Sequence, residues 1–152
     1  MERLERYKNI KRTMTGVKVQ ILDSLDYTDK FLPTIPKYDI VMLWKTLKPI
    51  VRYRNDPKDR ELLQSVPTLF SNNFHGIPGA GDCDCFTILT TTACIVLNFP
   101  CKICLVGRSH KEPVHIYNKI WDGKYYVPFD MTNNQVGKER YYPIKQEIYV
   151  DI

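Results

Sequence analysis

The run from Phe86 to Leu97 leaves this chain the fewest choices. Phe86, Leu89, Ala93 and Leu97 recur at helical spacing, which predicts a buried helix. Gly79, Ala80 and Gly81 lead into it as a loop that no large side chain obstructs. Asp82 or Asp84 can then cap the helix by accepting its free N–H groups. Whatever else the chain forms has to pack around that helix.

The other elements follow in order. Met1, Leu4, Tyr7, Ile10 and Met14 predict a short helix over 1–14, with Gly16 as an interruption. Val17, Val19 and Ile21 alternate and predict a strand, and 23–37, with Pro33 and Pro36, reads as loop. Ile40, Leu43, Trp44 and Leu47 predict a helix ended by Pro49. Val51 and Tyr53 look extended. Asp56 and Pro57 make a helix start, for a helix running through Leu62 and Leu63 until Pro67. Ser71 to Gly81 is loop, and the central helix ends near Asn98.

Beyond Pro100 the period changes. Ile103, Leu105 and Val106 predict a buried strand, followed by a polar loop over 107–113. Val114, Ile116, Asn118 and Ile120 alternate with His115, Tyr117, Lys119 and Trp121, a period-two strand. Asp122-Gly123 is a strong hairpin signal, with Tyr125-Tyr126-Val127 returning as the partner. A loop over 131–137 leads to one or two edge strands. Helices first and an antiparallel sheet second is an α+β order. At 152 residues the chain makes one domain, 1–152, with a core over 38–152 and an N-terminal extension over 1–37.

Composition narrows the function. No apolar run is long enough to span a membrane. The basic N-terminus, with Arg3, Arg6, Lys8, Lys11, Arg12 and Lys18, has no apolar core of a secretory signal. The net charge of +5 is modest, so a solvated helix face is expected there and nucleic acid is not an expected partner. Five cysteines with no export signal point to free thiols, a reducing compartment and a cytoplasmic protein.

Cys83 falls at the start of the central helix, where free N–H groups and the helix dipole stabilise a thiolate. Asp82 and Asp84 act against this, so a cationic partner is needed, and histidine is the usual one. With Asp122 and Gly123 as the two turn residues, paired positions sum to 245 and His115 faces Asp130. That register also sets Pro128, which has no N–H, opposite Tyr117 at a hydrogen-bonded site. Cys83, His115 and Asp130 then form nucleophile, base and orienter, with Cys83 the most acidic of the five thiols.

Three blocks carry a resemblance: Gly81-Asp82-Cys83-Asp84-Cys85-Phe86; Val114-His115-Ile116-Tyr117 before Asp122-Gly123-Lys124; and Pro128-Phe129-Asp130-Met131-Thr132. Together they resemble the transglutaminase-like superfamily in its bacterial and phage-type forms. Tyr53-Arg54-Asn55-Asp56-Pro57, with Glu61 and Pro67, is similar to the lead-in of phage-type members, so the resemblance covers roughly residues 50–132. It implies a papain-like fold with Cys83, His115 and Asp130 as a catalytic triad. The implied reaction is acyl transfer on an amide of a protein or peptide substrate: hydrolysis, deamidation or transglutamination, with no cofactor. Gly81, Asp82 and Tyr117 are the substrate-binding candidates. Cys85 stands where the family has a second Asp, Met131 where it has Pro, and Tyr117 where Trp is common.

Two other readings compete. Such a shell can persist as an inactive scaffold or binding protein, a virion component among them. A structural zinc module could draw on Cys83, Cys85, Cys101 and Cys104, with Cys94 and His110 nearby. Its second spacing suits zinc, but Cys-x-Cys at a helix start is poor geometry for two ligands, and no metal is expected.

Overall fold

The computed structural model describes residues 2–57, 62–109 and 112–150, with 2–13 and 112–113 as backbone. The expected roles of Met1, Glu61 and His110, and the helix expected over 58–61, lie outside the described residues. The architecture is α+β. In order come α1 (Glu2–Phe31), α2 (Ile40–Leu47), a 3-10 turn (Lys48–Ile50), β1 (Arg52–Tyr53), α3 (Val66–Phe70), β2 (Ala80–Gly81) and α4 (Cys83–Leu97). Then come β3 (Cys101–Ser109), β4 (Glu112–Trp121), β5 (Tyr126–Phe129) and β6 (Ile144–Tyr149). The last four make one antiparallel sheet in the order β5-β4-β3-β6.

The central helix is as expected, and its burial is more complete than an apolar stripe. Every residue from Asp84 to Cys94 is buried, because the sheet covers one side of α4 while α1 and α3 cover the other. Asp82 caps it, its side chain accepting from the Asp84 N–H at 3.2 Å, and Asn98 closes it in the left-handed conformation, φ 61°. The buried threonines are tied down: Thr91 accepts from Asn118 of β4 at 2.9 Å, and Thr28 of α1 bonds Thr92 at 3.1 Å.

The N-terminal region departs from expectation. One helix runs from Glu2 to Phe31 in place of a short helix, a strand and a loop. Val17 and Ile21 are buried four residues apart, and Ser24 and Thr28 continue the same stripe, while Val19 faces solvent. Small polar residues extend this face because each finds a partner: the Ser24 hydroxyl accepts from the Val66 N–H at 2.9 Å. Gly16 is no break. A Cβ there would lie 2.6 Å from Leu63, so the glycine lets the 62–65 segment cross the helix closely.

Two further boundaries shift. Residues 62–65 are not helical, and Pro67 lies in the first turn of α3, where its missing N–H costs nothing, so it starts a helix rather than stopping one. The strands β3 and β4 extend to Ser109 and from Glu112, closing most of the loop expected over 107–113. The helix over 40–47, the extended residues near 53, and a single edge strand at the C-terminus stand as expected.

Candidate active site

The hairpin between β4 and β5 sets the site. Asn118 pairs with Phe129, Lys119 with Pro128, Ile120 with Val127 and Trp121 with Tyr126, so paired positions sum to 247 rather than 245. The Asp122 N–H donates to the Tyr125 carbonyl at 3.0 Å, making Gly123 and Lys124 the two turn residues; Gly123 takes φ 96°. Counting hydrogen-bonded pairs back from 122/125 in steps of two gives 120/127 and 118/129, with 119/128 between them. Pro128 therefore sits where no N–H is needed, and the objection raised by the expected register disappears.

The register is two residues off, which keeps every side chain on its face. His115 and Asp130 become diagonal neighbours instead of an opposed pair, and they still meet: His115 Nε2 lies 2.6 Å from Asp130 Oδ2. Asp130 Oδ1 accepts from the Thr132 N–H at 3.1 Å and from its hydroxyl at 2.7 Å. Both carboxylate oxygens are thus assigned. An ionised carboxylate only accepts, so the imidazole donates from Nε2 and Nδ1 is the ring nitrogen left over from that contact. Burial alone would raise the Asp130 pKa, but the His115 and Thr132 bonds outweigh it and hold the carboxyl below the usual range. The Lys48 ammonium donates to the Met131 carbonyl at 2.6 Å; burial lowers its pKa and the charge of Asp130 offsets part of that.

The imidazole is fixed from the side as well. It stacks on Tyr117, centroids 5.6 Å apart and planes at 23°, and Tyr142 lies 6.4 Å away. Tyr117 donates its hydroxyl to Glu139, which Lys145 holds at 2.9 Å and Lys119 at 3.5 Å.

Cys83 arrives from the other layer. The strand β5 ends at Phe129, so Ile116, next in the alternation on that edge of β4, has lost its strand partner, and its N–H donates to the Cys83 sulfur. Cys83, Ile116, Tyr117, Asp130 and Met131 line one narrow cleft between α4 and the sheet. Among the described residues the sulfur and the imidazole are not hydrogen-bonded to each other. Burial pushes the Cys83 thiol pKa well up, and the negative charges of Asp84 and Asp82 push it further; the Ile116 N–H acts in the opposite direction. These effects favour the thiol form of Cys83 and run against the expectation that the helix start would make it the most acidic thiol. Burial, with the charges of Asp84 in the first turn and Asp82 at the cap, outweighs what the helix dipole offers.

The substrate-binding candidates divide. Gly81 is buried in β2, and a Cβ there would lie 2.7 Å from that of Cys85, so it serves close packing. Tyr117 is 3% exposed and braces the imidazole. Asp82 caps α4 and faces Asp56; burial and that second carboxylate raise its pKa to about 7. His75 Nε2 stands 3.5 Å from Asp56 on the far side. The cysteines of the zinc reading do not converge: Cys101 belongs to the core against α4, Cys104 to a separate cluster with Val106 and Tyr117, and no metal-ligating group forms among the described residues.

Tyr53, Arg140 and Tyr142 were not site candidates in the sequence. With Val114, His115 and Thr132 they line an open cleft of about 350 Å³ beside the imidazole. Burial raises the Tyr53 pKa, and so does negative charge on its neighbours, a Cys83 thiolate and the carboxylates of Asp82, Asp56 and Asp84. Its ring packs edge-on to Phe86 of α4. It reaches the site through the parallel pairing of β1 with β2, a contact with no local sequence signal.

Nothing among protein-family models, curated proteins or solved structures matches this chain. No helix among the described residues is long and apolar enough to cross a membrane.

Proposed function

We propose that the protein is a thiol-dependent acyl-transfer enzyme acting on an amide of a peptide or protein, with Cys83 as nucleophile, His115 as base and Asp130 as orienter. The observation that carries this is the 2.6 Å contact of His115 Nε2 with Asp130, whose carboxylate in turn lines the same narrow cleft as Cys83 at the start of α4. A nucleophile helix on an antiparallel sheet, followed in chain order by the His and Asp strands, supports the papain-like, transglutaminase-like reading of the sequence blocks.

The chemistry follows from the protonation states. Because Cys83 is a thiol at rest, its proton passes to His115 as the sulfur attacks the carbonyl carbon, rather than beforehand. The C–N bond breaks as the imidazolium gives that proton to the leaving nitrogen, leaving a thioester on Cys83. Water or an amine then attacks the thioester; its proton returns through His115 to the sulfur. The Cys83 N–H at the helix start is the backbone donor offered to the developing oxyanion, while the Tyr53 hydroxyl donates to Asn55 at 2.9 Å.

The raised pKa of Cys83 favours a second reading, an inactive scaffold that has kept the shell of such an enzyme. One experiment separates the two. Treatment with an amide-directed cysteine electrophile, followed by peptide mapping, is expected to label Cys83 ahead of Cys85, Cys94, Cys101 and Cys104, and labelling is expected to fail in Cys83→Ser and to slow in His115→Gln. Labelling spread evenly over the thiols, or unaffected by His115→Gln, favours the scaffold.

A further inference from the structure

The open cleft lies on the imidazole side of the site, lined by His115, Tyr53, Thr132, Arg140 and Tyr142, while Cys83 occupies the narrow cleft beneath. In acyl transfer the leaving nitrogen takes its proton from the imidazole, so that nitrogen sits against His115. Whatever substituent it carries extends into the cleft that His115 lines. At about 350 Å³ the cleft is at the small end of ligand sites.

Among the described residues Arg140 is the one permanently charged side chain on its wall. The adjacent carboxylate does not neutralise it: Glu139 is taken by the Tyr117 hydroxyl, Lys119 and Lys145. Among the described residues Arg140 has no carboxylate partner, and Asp130 has both oxygens committed to His115 and Thr132. A guanidinium with an open fork facing a polar cleft is a ready receptor for a planar anion.

We infer that this cleft receives the amine half of the substrate and that Arg140 binds a carboxylate carried on it, so that the bond broken is the one joining the carboxy-terminal residue of a peptide to the rest. The inference rests on the acyl-transfer reading above and gives it a substrate class. In the balanced reaction the peptide C–N bond breaks, the proton from Cys83 reaches the leaving nitrogen through His115, and the terminal amino acid departs with its carboxylate on Arg140. Water then hydrolyses the thioester, giving the shortened peptide acid and the Cys83 thiol.

The test uses the full chain and two peptides that differ only in ending as a free carboxylate or a carboxamide, read as release of the terminal residue. Wild type is expected to favour the free carboxylate by about tenfold in kcat/KM, the scale of one solvent-exposed charge-assisted contact. The preference should shrink in salt. Arg140→Gln should bring the ratio of the two rates to near one, and Arg140→Lys should keep part of it. Labelling of Cys83 by the amide-directed electrophile runs alongside. If Cys83 labels but the peptides are cleaved equally, or neither is cleaved, or the preference survives Arg140→Gln, the carboxylate inference is overturned and the acyl-transfer reading stands. If Cys83 does not label, both fall.

Discussion

Asp130 and Asp122 lie on one hairpin and separate two uses of a carboxylate. Asp122 is exposed at the turn, where its Oδ1 accepts from the N–H groups of Lys124 and Tyr125 at 2.8 and 2.6 Å. An asparagine oxygen can accept the same bonds, so Asp122→Asn should leave fold and reactivity nearly unchanged. Asp130→Asn is different. If the new amide oxygen keeps the Thr132 bonds, its NH2 faces His115 Nε2, which must then accept. The imidazole proton moves to Nδ1, the nitrogen needed as base. Replacing the triad aspartate by asparagine costs a serine protease about 10⁴ in kcat; a thiol depends less on its orienter, so a loss of about 10–10³ is expected here. The measurement is acylation of Cys83 by an activated amide, beside simple alkylation at alkaline pH. Asp130→Asn should slow the first and not the second, since removing a negative charge near the sulfur eases its ionisation. Equal rates in both assays for Asp130→Asn and wild type would detach Asp130 from the chemistry.

At the scale of elements, the junction of β1, β2 and α4 carries Cys83, the proposed nucleophile, and Gly79 is its tightest point. Its φ is 81°, and a Cβ there would lie 2.0 Å from the Ile50 carbonyl oxygen. The Gly79 N–H donates to Leu69 and its carbonyl accepts from Arg52, so the backbone cannot move away without breaking the link between α3 and β1. Gly79→Ala should cost at least about 2 kcal/mol in a denaturant melt. A melt within a few tenths of wild type would mean that the junction yields. Periodicity made α2, α4 and β4 legible because each buries a face whose spacing belongs to one type of element. It failed for α1, where Val17 and Ile21 satisfy both a strand and a helix period, and where the stripe continues through Ser24 and Thr28, which a hydrophobic pattern omits. The hairpin was legible as a hairpin but misregistered, because Asp122 caps the turn and Gly123-Lys124 make it. In the site, Cys83, His115 and Asp130 could be read from element ends and alternation. Tyr53 and Arg140 could not: one arrives by a two-residue parallel pairing, the other on the connection between β5 and β6, and neither leaves a periodic trace.

For the whole molecule, the buried carboxyl pair at the cap of α4 links stability to pH. Asp82 faces Asp56; Asp56 in turn accepts from the Leu62 N–H at 2.7 Å and has His75 at 3.5 Å. Burial first, and then the charge of Asp56, hold the Asp82 carboxyl protonated beyond its usual range. The Asp82 pKa is raised from 3.8 to about 7, so between those values the folded chain holds a proton that the unfolded chain has released. The unfolded state then binds fewer protons, and stability falls as pH rises from about 4 to about 7, by on the order of 2 kcal/mol. Asp130, Glu139 and Glu147, whose pKa values are lowered, act oppositely: their contribution is present above the ordinary carboxylate range and lost as pH falls through their folded values. The thiols of Cys83, Cys85 and Cys104, raised chiefly by burial, add a second loss above about pH 9, where unfolded thiols ionise. Thermal stability should therefore peak on the acid side of neutrality. Asp82→Asn tests the origin of the fall, since asparagine caps a helix as well as aspartate and carries no charge. Its Tm should be nearly flat from about pH 5 to about 7.5 and exceed wild type at the upper end. The same substitution removes one of the charges that raise the Cys83 pKa, so the midpoint of Cys83 alkylation should move to lower pH. Those two readouts come from one carboxylate. A flat wild-type Tm over the same range, or a variant whose slope matches it, would show that burial and Asp56 do not hold a proton on Asp82. The helix that presents the proposed nucleophile would then be capped by an ordinary aspartate.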